Sequence, residues 1–322
     1  MYCNWGILGP GFIATRAVIP AIQEVFNSRI LAVASSNDQR SREVALRFGI
    51  ERFYSDYQAL LNDLDIDVIY IALPNHLHRE WTIRAAAAGK HVLCEKPLAM
   101  HAAECNEMIL ACQQAHVLLM EAVMYRFHPR MLYLKQMLLA RELGEVRFLH
   151  AAFSFNFNAS DNYRAYKQFG GGALLDVGSY CVNAARWLIG SEPVSSQIVI
   201  SNKQESIDLN ASAILRFSED VSAHIQSSFV AAEHQVIEVV GTTGTVTAPL
   251  AFTAWRKDTT ILLIQRGTVF EQKEFAPSDP YQRMLEHFTT CVMEKTPLLY
   301  PAVDGWANLR ALDMVRGMVK AL

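Results

Sequence analysis

The sequence predicts two domains: a doubly wound parallel α/β sheet over residues 1–121, followed by an α+β domain with a mostly antiparallel, open-faced sheet over residues 122–322. Two observations lead to this prediction. Short apolar runs alternate with helical patterns in the first third of the chain, whereas alternating apolar and polar residues dominate the rest. Because the sequence contains no Ser/Gly-rich linker or low-complexity tract, we expect the two domains to share a rigid cleft.

Composition narrows the class of protein. With 322 residues, of which 51% are hydrophobic and 19% charged, the chain is long enough to bury two ordinary globular cores. A formal net charge of -3 provides no basic surface for nucleic acid, which leaves a small neutral or anionic ligand. Six cysteines without a CxxC pair predict reduced thiols in a cytoplasmic protein. Neither a leader pattern nor an apolar run of about 18 residues is present, so we expect neither secretion nor membrane insertion.

The first strand breaks into a glycine-rich turn and then a helical pattern. Gly9, Gly11 and Ala14 form the G-x-G-x-x-A version of the dinucleotide fingerprint. The first glycine permits the tight turn, the second lets a pyrophosphate approach the backbone, and the alanine allows the helix to pack closely on the strand. Backbone N–H groups at the helix start, at Phe12 and Ile13, would bind phosphate. Because a glycine-rich turn after a strand is often only a turn, the motif depends on its context.

Strands and helices continue to alternate after this turn. The predicted strands cover residues 5–8, 30–34, 53–54, 68–73, 91–94 and 117–120, and the predicted helices cover residues 40–48, 80–88 and 102–114. Such alternation implies right-handed crossovers and a Rossmann-type sheet, which binds its ligand outside the carboxyl ends of the strands. The context therefore supports a dinucleotide at the glycine turn.

The tip of the second strand predicts which nicotinamide cofactor binds. An Asp or Glu there accepts hydrogen bonds from a free ribose hydroxyl and repels a 2′-phosphate, but this chain has Ser35, Ser36 and Asn37. Arg40, on the following helix, is placed to approach a phosphate. We therefore expect NADP in preference to NAD. If these residues only cap the helix, the tip is equally compatible with NAD.

Polar residues also follow the fourth strand, where Asn75 and His78 come after Leu73 and Pro74. Asn75 is also a candidate cap for the next helix. His76 and His78 are potential metal ligands, but the sequence offers no third ligand at a recognisable spacing, so no metal site is predicted.

Glu95, Lys96 and Pro97 follow the fifth strand. Together with the glycine turn and the Leu-Pro-Asn-x-x-His run, this Glu-Lys-Pro sequence resembles the family of glucose-fructose oxidoreductase, inositol dehydrogenase and MocA (Gfo/Idh/MocA) over essentially the whole chain. The resemblance implies that Lys96 lies near the reacting carbon and the nicotinamide ring. It also implies a cofactor site that includes Leu73, Pro74, Asn75, His78, Glu95, Lys96 and Arg126.

The residues themselves also favour a functional Lys96. A lysine in a partly desolvated crevice can hydrogen-bond a carbonyl or alkoxide and stabilise developing negative charge. The structural alternative is a surface salt bridge between Glu95 and Lys96. Adjacent residues on an extended chain do not face each other, which favours function.

The second domain begins at a crossing that carries Tyr125 and Arg126. Strands are predicted over residues 147–157, 196–200, 212–217, 222–229, 235–240 and 260–265, with a turn at 241–244 and helices over residues 131–139, 281–293 and 307–319. The resemblance implies that the crossing contacts cofactor and substrate. It also implies that the open face of the sheet forms an oligomer contact, so a homodimer or homotetramer is expected.

A second glycine-rich stretch, residues 170–172, follows no strand directly and is not predicted to be another dinucleotide site. We expect it to let the backbone pass close to substrate and to begin a helix on which Asp176 and Tyr180 share one face. The resemblance implies catalytic roles for both. Many members have histidine in place of Tyr180, so the chain resembles the tyrosine-containing branch with dihydrodiol dehydrogenase and NADP-dependent sugar dehydrogenases. The structural alternative is a favourable acidic helix start and a core tyrosine.

Tyrosine, whose ordinary pKa is about 10, can exchange a proton with substrate if a nearby cation lowers that pKa, and Lys96 is the candidate cation. Asp176 would orient a substrate hydroxyl or Lys96. The expected substrate-binding residues are Tyr125, Asn156, Arg164, Asp176 and Tyr180, with selectivity from the loop over residues 162–167 and from His150.

The predicted function is hydride transfer between NADP(H), less readily NAD(H), and a CH–OH/C=O carbon of a sugar, polyol or cyclic diol. Two alternatives remain open. One is a glycosidase that uses tightly bound NAD for transient oxidation, and the other is a non-catalytic nucleotide sensor of the same fold.

Overall fold

The computed structural model describes residues 2–157, 162–204, 207–254 and 256–318. The chain forms two compact units. The first comprises Met1–Met124 with Tyr281–Trp306, and the second comprises Tyr125–Pro280 with Ala307–Leu322. The first crossing between units follows Met124, close to the predicted boundary after residue 121.

The first unit is built on a parallel sheet. Its strands are β1 (Cys3–Leu8), β2 (Ser28–Ala34), β3 (Arg52–Tyr54), β4 (Val68–Ile71), β5 (His91–Cys94) and β6 (Leu119–Glu121). They lie in the order β3-β2-β1-β4-β5-β6, and each neighbouring pair is parallel. All four side chains of β4 are buried, as expected for a central strand that is covered on both faces. The predicted doubly wound sheet is confirmed.

Helices connect these strands. They are α1 (Ile19–Glu24), α2 (Asp38–Phe48), α3 (Tyr57–Leu61), α4 (His78–Ala87) and α5 (Ala102–Gln114). The two ends of α2 follow from its local sequence. The Asn37 side chain accepts the N–H of Arg40 at the start, and Gly49 takes a left-handed φ of 66° at the end.

The second unit contains α6 (Pro129–Leu139), α7 (Ser179–Ile189) and a larger sheet. The strands of that sheet are β7 (Val146–Ser154), β8 (Ser195–Gln204), β9 (Ile207–Arg216), β10 (Ser222–Ser228), β11 (His234–Gly241), β12 (Gly244–Pro249), β13 (Thr260–Arg266) and β14 (Val269–Phe275). Their order is β14-β13-β12-β11-β7-β10-β9-β8, and only β7 with β10 is a parallel pair. The predicted mostly antiparallel sheet is confirmed.

Two of these strands were not predicted. None of the side chains of β14 is buried, so its sequence lacks the apolar alternation that marks a half-buried strand. The six residues of β12 include a glycine, two threonines and a proline, which resemble a loop in composition.

The two faces of this sheet differ. On β7 the side chains of Leu149, Ala151 and Phe153 are buried, whereas Phe148 is 41% exposed. Side chains alternate between faces along a strand, and the cross-strand register places Ile214 and Leu263 on the face of Phe148. We call the face that contains Phe148 the open face.

The chain returns to the first unit after this sheet. The helices α8 (Pro280–Glu294) and α9 (Ala302–Val315) follow β14. The ring of Phe288 on α8 lies 5.7 Å from that of Trp5 on β1, and the hydroxyls of Ser28 and Thr289 are 2.9 Å apart. Residues 281–306 had been assigned to the second domain because they follow its strands, but they pack with the first. The apolar face of α8 indicates that the helix is covered and not which sheet covers it.

Among the described residues, no helix combines the length and the hydropathy that a bilayer span requires.

Candidate active site

The glycine turn after β1 has the geometry that a dinucleotide requires. Gly9 has a φ of 83°, and a Cβ there would lie 2.8 Å from the carbonyl oxygen of Ala72. The Gly11 N–H donates to the Gly9 carbonyl (2.7 Å) and closes the turn. A Cβ on Gly11, in contrast, would meet nothing closer than 4.0 Å. This open space is the cradle that a pyrophosphate would fill, so the turn fits a dinucleotide.

The helix that follows the turn presents its first N–H groups beside this cradle. Its first main-chain hydrogen bond runs from Thr15 N–H to the Gly11 carbonyl (3.1 Å), so the N–H groups of Phe12 and Ile13 precede the helical ladder. Such groups are where phosphate binds at a helix N-terminus. A π-helical turn, Ala14–Val18, then leads into α1.

The tip of β2 is tied to the glycine turn by Arg40. Its Nε and Nη2 atoms donate to the Pro10 carbonyl at 3.1 and 2.9 Å. The Ser35 hydroxyl accepts the Asn37 N–H (3.2 Å), and the Ser36 N–H donates to a tyrosine hydroxyl. The Asn37 side chain accepts the Arg40 N–H (3.1 Å), so Asn37 caps the helix as the alternative interpretation proposed. Arg40 is exposed, and a guanidinium has five donor hydrogens, so this arrangement also leaves hydrogens that a 2′-phosphate can accept.

His78 links the two loops at the carboxyl edge of the sheet. Its ring is 0% exposed, with Nδ1 2.9 Å from the Pro97 carbonyl and Nε2 2.8 Å from the Leu73 carbonyl. Burial lowers the pKa of His78, the two carbonyls oppose that shift, and the Lys96 ammonium adds to it. A neutral ring donates to one carbonyl only. His78 lies buried between the two loops, and its place in the cofactor site stays a prediction.

Asn75 does not cap α4. A 3₁₀ turn, Asn75–Leu77, lies between β4 and this helix, and the N-cap position is taken by Leu77 without a side-chain hydrogen bond. The residue that precedes α4 is therefore Leu77 and not Asn75, whose side chain is 2% exposed. Pro74 precedes the turn in an extended conformation.

Glu95 and Lys96 follow β5, and a cis peptide bond joins Lys96 to Pro97. The Tyr70 hydroxyl at the neighbouring strand β4 donates a short hydrogen bond to Glu95 Oε1. Burial raises the pKa of Tyr70 well above its ordinary value, and the Glu95 carboxylate adds to this. Tyr70 therefore stays protonated and holds Glu95, the residue before Lys96. Nothing in the apolar run of β4 marked this role.

The second unit contains an ion pair whose carboxylate is buried. Arg164, from a 3₁₀ turn (Tyr163–Ala165), donates through Nε to Asp176 Oδ2 at 2.6 Å. The Asp176 side chain is 3% exposed and that of Arg164 28%. Burial alone would lower the pKa of Arg164, but Asp176, Tyr163 and Tyr180 raise it above its ordinary value. Tyr180 is therefore close enough to interact electrostatically with this guanidinium.

Tyr180 lies one turn beyond Asp176 and is 7% exposed. A π-helical turn, Leu174–Gly178, carries Asp176 and runs directly into α7, which carries Tyr180. The Tyr180 ring packs against the rings of Phe153 (5.6 Å between centroids), Phe252 (5.5 Å) and Tyr125 (6.0 Å). This aromatic cluster excludes water from the ring, so a charge on its hydroxyl depends on nearby groups such as Arg164.

The crossing residues Tyr125 and Arg126 are buried in the second unit. The Tyr125 hydroxyl donates to Asn183 Oδ1 at 2.6 Å, and the Arg126 guanidinium lies 5.0 Å from the Trp187 ring. Both contacts are to α7. Tyr125 and Arg126, expected near substrate and cofactor, therefore also position the helix that carries Tyr180. Asn183 and Phe252 were not singled out from the sequence, where each looks like an ordinary helix or loop residue.

Two predicted selectivity residues are placed differently from the others. His150 is on the open face of the sheet and contacts Gln226, whereas Phe153, which contacts Tyr180, is on the opposite face. His150 therefore lies on the face opposite to the one that contacts Tyr180, and its role in selectivity stays a prediction. Asn156 lies beyond the end of β7 with an exposed side chain. Within the described residues, no group of three or more His, Cys, Asp or Glu side chains could hold a metal ion.

Comparison with known proteins identifies the class. One family model, described as an oxidoreductase family with an NAD-binding Rossmann fold (GFO_IDH_MocA), matches residues 3–123, and the GFO/IDH/MocA C-terminal domain matches residues 131–247. D-xylose 1-dehydrogenase (NADP(+)) 2 of Haloferax volcanii is 36% identical over 312 residues, which cover 97% of this chain and 95% of that protein. Trans-1,2-dihydrobenzene-1,2-diol dehydrogenase of Xenopus laevis is 30% identical over 306 residues, with coverages of 91% and 90%.

Solved structures show the same relationship. A tyrosine variant of a 3-ketoreductase from Actinomadura kijaniata, in complex with TDP-benzene and NADP, matches with a TM-score of 0.92 and 28% identity over 98% of each chain. This protein belongs to the Gfo/Idh/MocA oxidoreductase family. The resemblance predicted from the motifs is confirmed.

Gly9→Ala and Gly11→Ala are a matched pair that tests the fit of the turn to a dinucleotide. We expect Gly9→Ala to lower the free energy of unfolding by about 1–3 kcal/mol, because its backbone conformation is strained for alanine. Gly11→Ala has room for its methyl group, so its stability should change by less than about 0.5 kcal/mol. Its affinity for a nicotinamide dinucleotide should fall at least about tenfold, because the methyl group fills the cradle. Urea unfolding and fluorescence titration measure the two quantities, and wild-type affinity in Gly11→Ala would contradict the assignment.

Proposed function

We propose that this protein is a dehydrogenase or reductase that uses NADP(H), and NAD(H) less readily, to interconvert CH–OH and C=O carbons of a sugar, polyol or cyclic diol. The observation that carries the proposal is the Arg164–Asp176 ion pair, with its carboxylate buried, beside Tyr180. It supplies a cation for a tyrosine that must exchange a proton near neutral pH. The sequence predicts Lys96 as the cation that lowers the pKa of Tyr180. Arg164 is a second candidate, and it lies in the same unit as Tyr180.

Each residue has a distinct role in this proposal. Tyr180 takes the hydroxyl proton of the substrate during oxidation and returns it during reduction. Asp176 orients the substrate hydroxyl, and Lys96 stabilises the alkoxide that forms as the proton leaves. The bound nicotinamide supplies the hydride chemistry.

The spacing of the lysine and the tyrosine supports their joint assignment. Solved structures of the A. kijaniata 3-ketoreductase include variants in which a lysine or a tyrosine is replaced. Those two positions are 84 residues apart, which is also the separation of Lys96 and Tyr180. We propose on this basis that Lys96 and Tyr180 act on the same substrate carbon.

The preference for NADP rests on the tip of β2. No carboxylate is present at Ser35, Ser36 or Asn37 to repel a 2′-phosphate, and Arg40 is fixed beside the glycine turn. The xylose dehydrogenase relative is named for NADP(+), and the 3-ketoreductase was crystallised with NADP. The relatives are dehydrogenases and a reductase, which favours net oxidoreduction over the glycosidase and sensor alternatives.

An absorbance assay at 340 nm tests cofactor, reaction and substrate class together. The purified protein is incubated with NADP⁺ or NAD⁺ and a panel of aldoses, polyols and cyclic diols. We expect turnover of at least one class, with kcat/KM at least about tenfold higher for NADP⁺ because Arg40 can bind the 2′-phosphate. Tight cofactor binding without turnover of any panel member would contradict the proposal.

Variants of the catalytic residues are the control for this assay. Lys96→Met and Tyr180→Phe should each lower kcat by about 10²–10⁴-fold while cofactor affinity is retained. The matched controls are Lys273→Met and Tyr133→Phe, which alter a lysine–tyrosine contact (4.5 Å) between β14 and α6. Near-normal turnover in Tyr180→Phe would contradict the proton-exchanging role of Tyr180.

We also propose a homodimer or homotetramer that associates through the open face. Phe148, Val199, Ile214 and Leu263 are 41%, 67%, 47% and 43% exposed, and apolar side chains grouped on one face favour association. Sedimentation velocity should show an oligomer that Phe148→Lys combined with Ile214→Lys dissociates. Leu64→Lys, at a residue 92% exposed in the first unit, is the control. A monomeric wild-type protein would contradict this part of the proposal.

A cytoplasmic location completes the proposal. All six cysteines lie in the described part of the chain, and each is a buried free thiol. A reducing compartment keeps thiols in that state. Cell fractionation checks the location, and recovery of the protein outside the cytoplasm would contradict it.

A further inference from the structure

Asp208 holds the start of the helix that carries Asp176 and Tyr180. Its Oδ2 atom accepts the N–H of Leu174 at 2.6 Å. Asp208 belongs to β9, 34 residues further along the chain, and the residue at the N-cap of this helical segment, Ala173, makes no side-chain capping bond. A strand residue therefore supplies the cap that the helix lacks in its own sequence.

The glycine stretch makes room for this carboxylate. Gly172 has a φ of 111°, and a Cβ there would lie 2.5 Å from Asp208 Oδ1. A Cβ on Gly171 would lie 2.3 Å from the Arg164 carbonyl oxygen. Any other residue at either position would push the carboxylate or the Arg164 loop away. The sequence predicted a close backbone approach at these glycines, and the partners are Asp208 and the Arg164 loop.

The backbone of Gly171 and Gly172, which we call the junction, holds both partners of the Arg164–Asp176 ion pair. Gly172 N–H donates to the Arg164 carbonyl (3.1 Å), and Gly171 N–H donates to the Tyr166 carbonyl (3.0 Å). Asp176 N–H donates back to the Gly172 carbonyl (3.2 Å). Arg164 is thus fixed to the junction through its main chain, and Asp176 is fixed to it through the helix. The position of the junction sets the geometry of the pair.

A carboxylate suits this position better than a neutral acceptor. The first N–H groups of a helix have no acceptor within the helix, and the partial positive charge there favours an anion. A charge-assisted hydrogen bond is also about twice as strong as a neutral one. Asp208 therefore fixes the first turn of the helix at the place where Asp176 must meet Arg164.

We propose that Asp208 is a positioning residue for catalysis, which sets the Arg164–Asp176 pair and thereby Tyr180 without touching the substrate. This inference rests on the proposed function, because it concerns the proton-exchanging role of Tyr180. A purely structural cap would predict lower stability with unchanged kinetics in the folded protein.

Asp208→Ala, Asp208→Asn and the control Asp220→Ala, which alters an exposed loop carboxylate, test the proposal in the full-length protein. We expect Asp208→Ala to lower kcat at least about tenfold, since small displacements of reacting groups have large kinetic effects. Cofactor affinity should stay within about twofold, because the glycine turn belongs to the other unit. The pH profile of kcat should move to higher pH, because Arg164 no longer favours the Tyr180 phenolate. Asp208→Asn keeps an acceptor oxygen and should restore kcat to within about threefold of wild type.

Hydrogen exchange of residues 172–180 separates this inference from the proposed function, because it needs no substrate. Faster exchange in Asp208→Ala, with protection restored in Asp208→Asn, supports the inference even if no panel substrate is turned over. Wild-type exchange in Asp208→Ala overturns it. A wild-type kcat with a wild-type pH profile in Asp208→Ala also overturns the inference. An Asp208→Asn protein as impaired as Asp208→Ala overturns it as well. If Asp208→Ala does not fold, Asp208→Asn and Asp208→Ser are compared by the same measurements.

Discussion

The ion pair of Arg164 and Asp176 is the interaction on which the candidate residues of the second unit depend. Removing the Asp176 carboxylate from water costs several kcal/mol, so loss of Arg164 would leave a buried charge without compensation. With Asp176 only 3% exposed, the loop that carries Arg164 must stay against the helix. The glycines of the junction make this contact possible, because a side chain at Gly171 would separate the loop from the helix.

The first unit follows the same principle with different residues. His78 and Tyr70 are buried groups whose contacts join β4 and the residues after it to the segment that follows β5. Burial lowers the pKa of His78 and raises that of Tyr70, which remains a hydrogen-bond donor. Lys96 therefore follows a strand end whose neighbours are fixed on both sides. In each unit, buried polar groups fix the backbone beside the candidate residues.

The sequence predicted what depends on local chain properties. Gly9 is recognisable because its positive φ favours glycine, and central strands such as β4 and β5 are recognisable as short apolar runs. The Glu-Lys-Pro stretch, which leads to the family, is likewise local. The expected roles of Lys96, Asp176 and Tyr180 also came from such motifs, and they stay predictions.

What could not be predicted depends on contacts between distant parts of the chain. Asp208 carries no motif, and its role arises only when β9 reaches the start of a helix. The face of β7 that carries His150 is set by the helix that covers the other face. Residues 281–306 belong to the first unit, where Phe288 packs against Trp5. The periodicity of a helix does not show which sheet it packs on. The π-helical turn that carries Asp176 has no sequence signature.

A double-mutant cycle of Lys96→Met and Tyr180→Phe tests most directly whether the two units contribute to one reaction step. The quantity measured is kcat/KM for the two single variants, the double variant and the wild type. If both residues act on the same carbon, the double variant should lose about as much kcat/KM as the more damaging single variant, because residues that work as a unit are not additive. Losses that multiply independently would show that Lys96 and Tyr180 do not share a transition state.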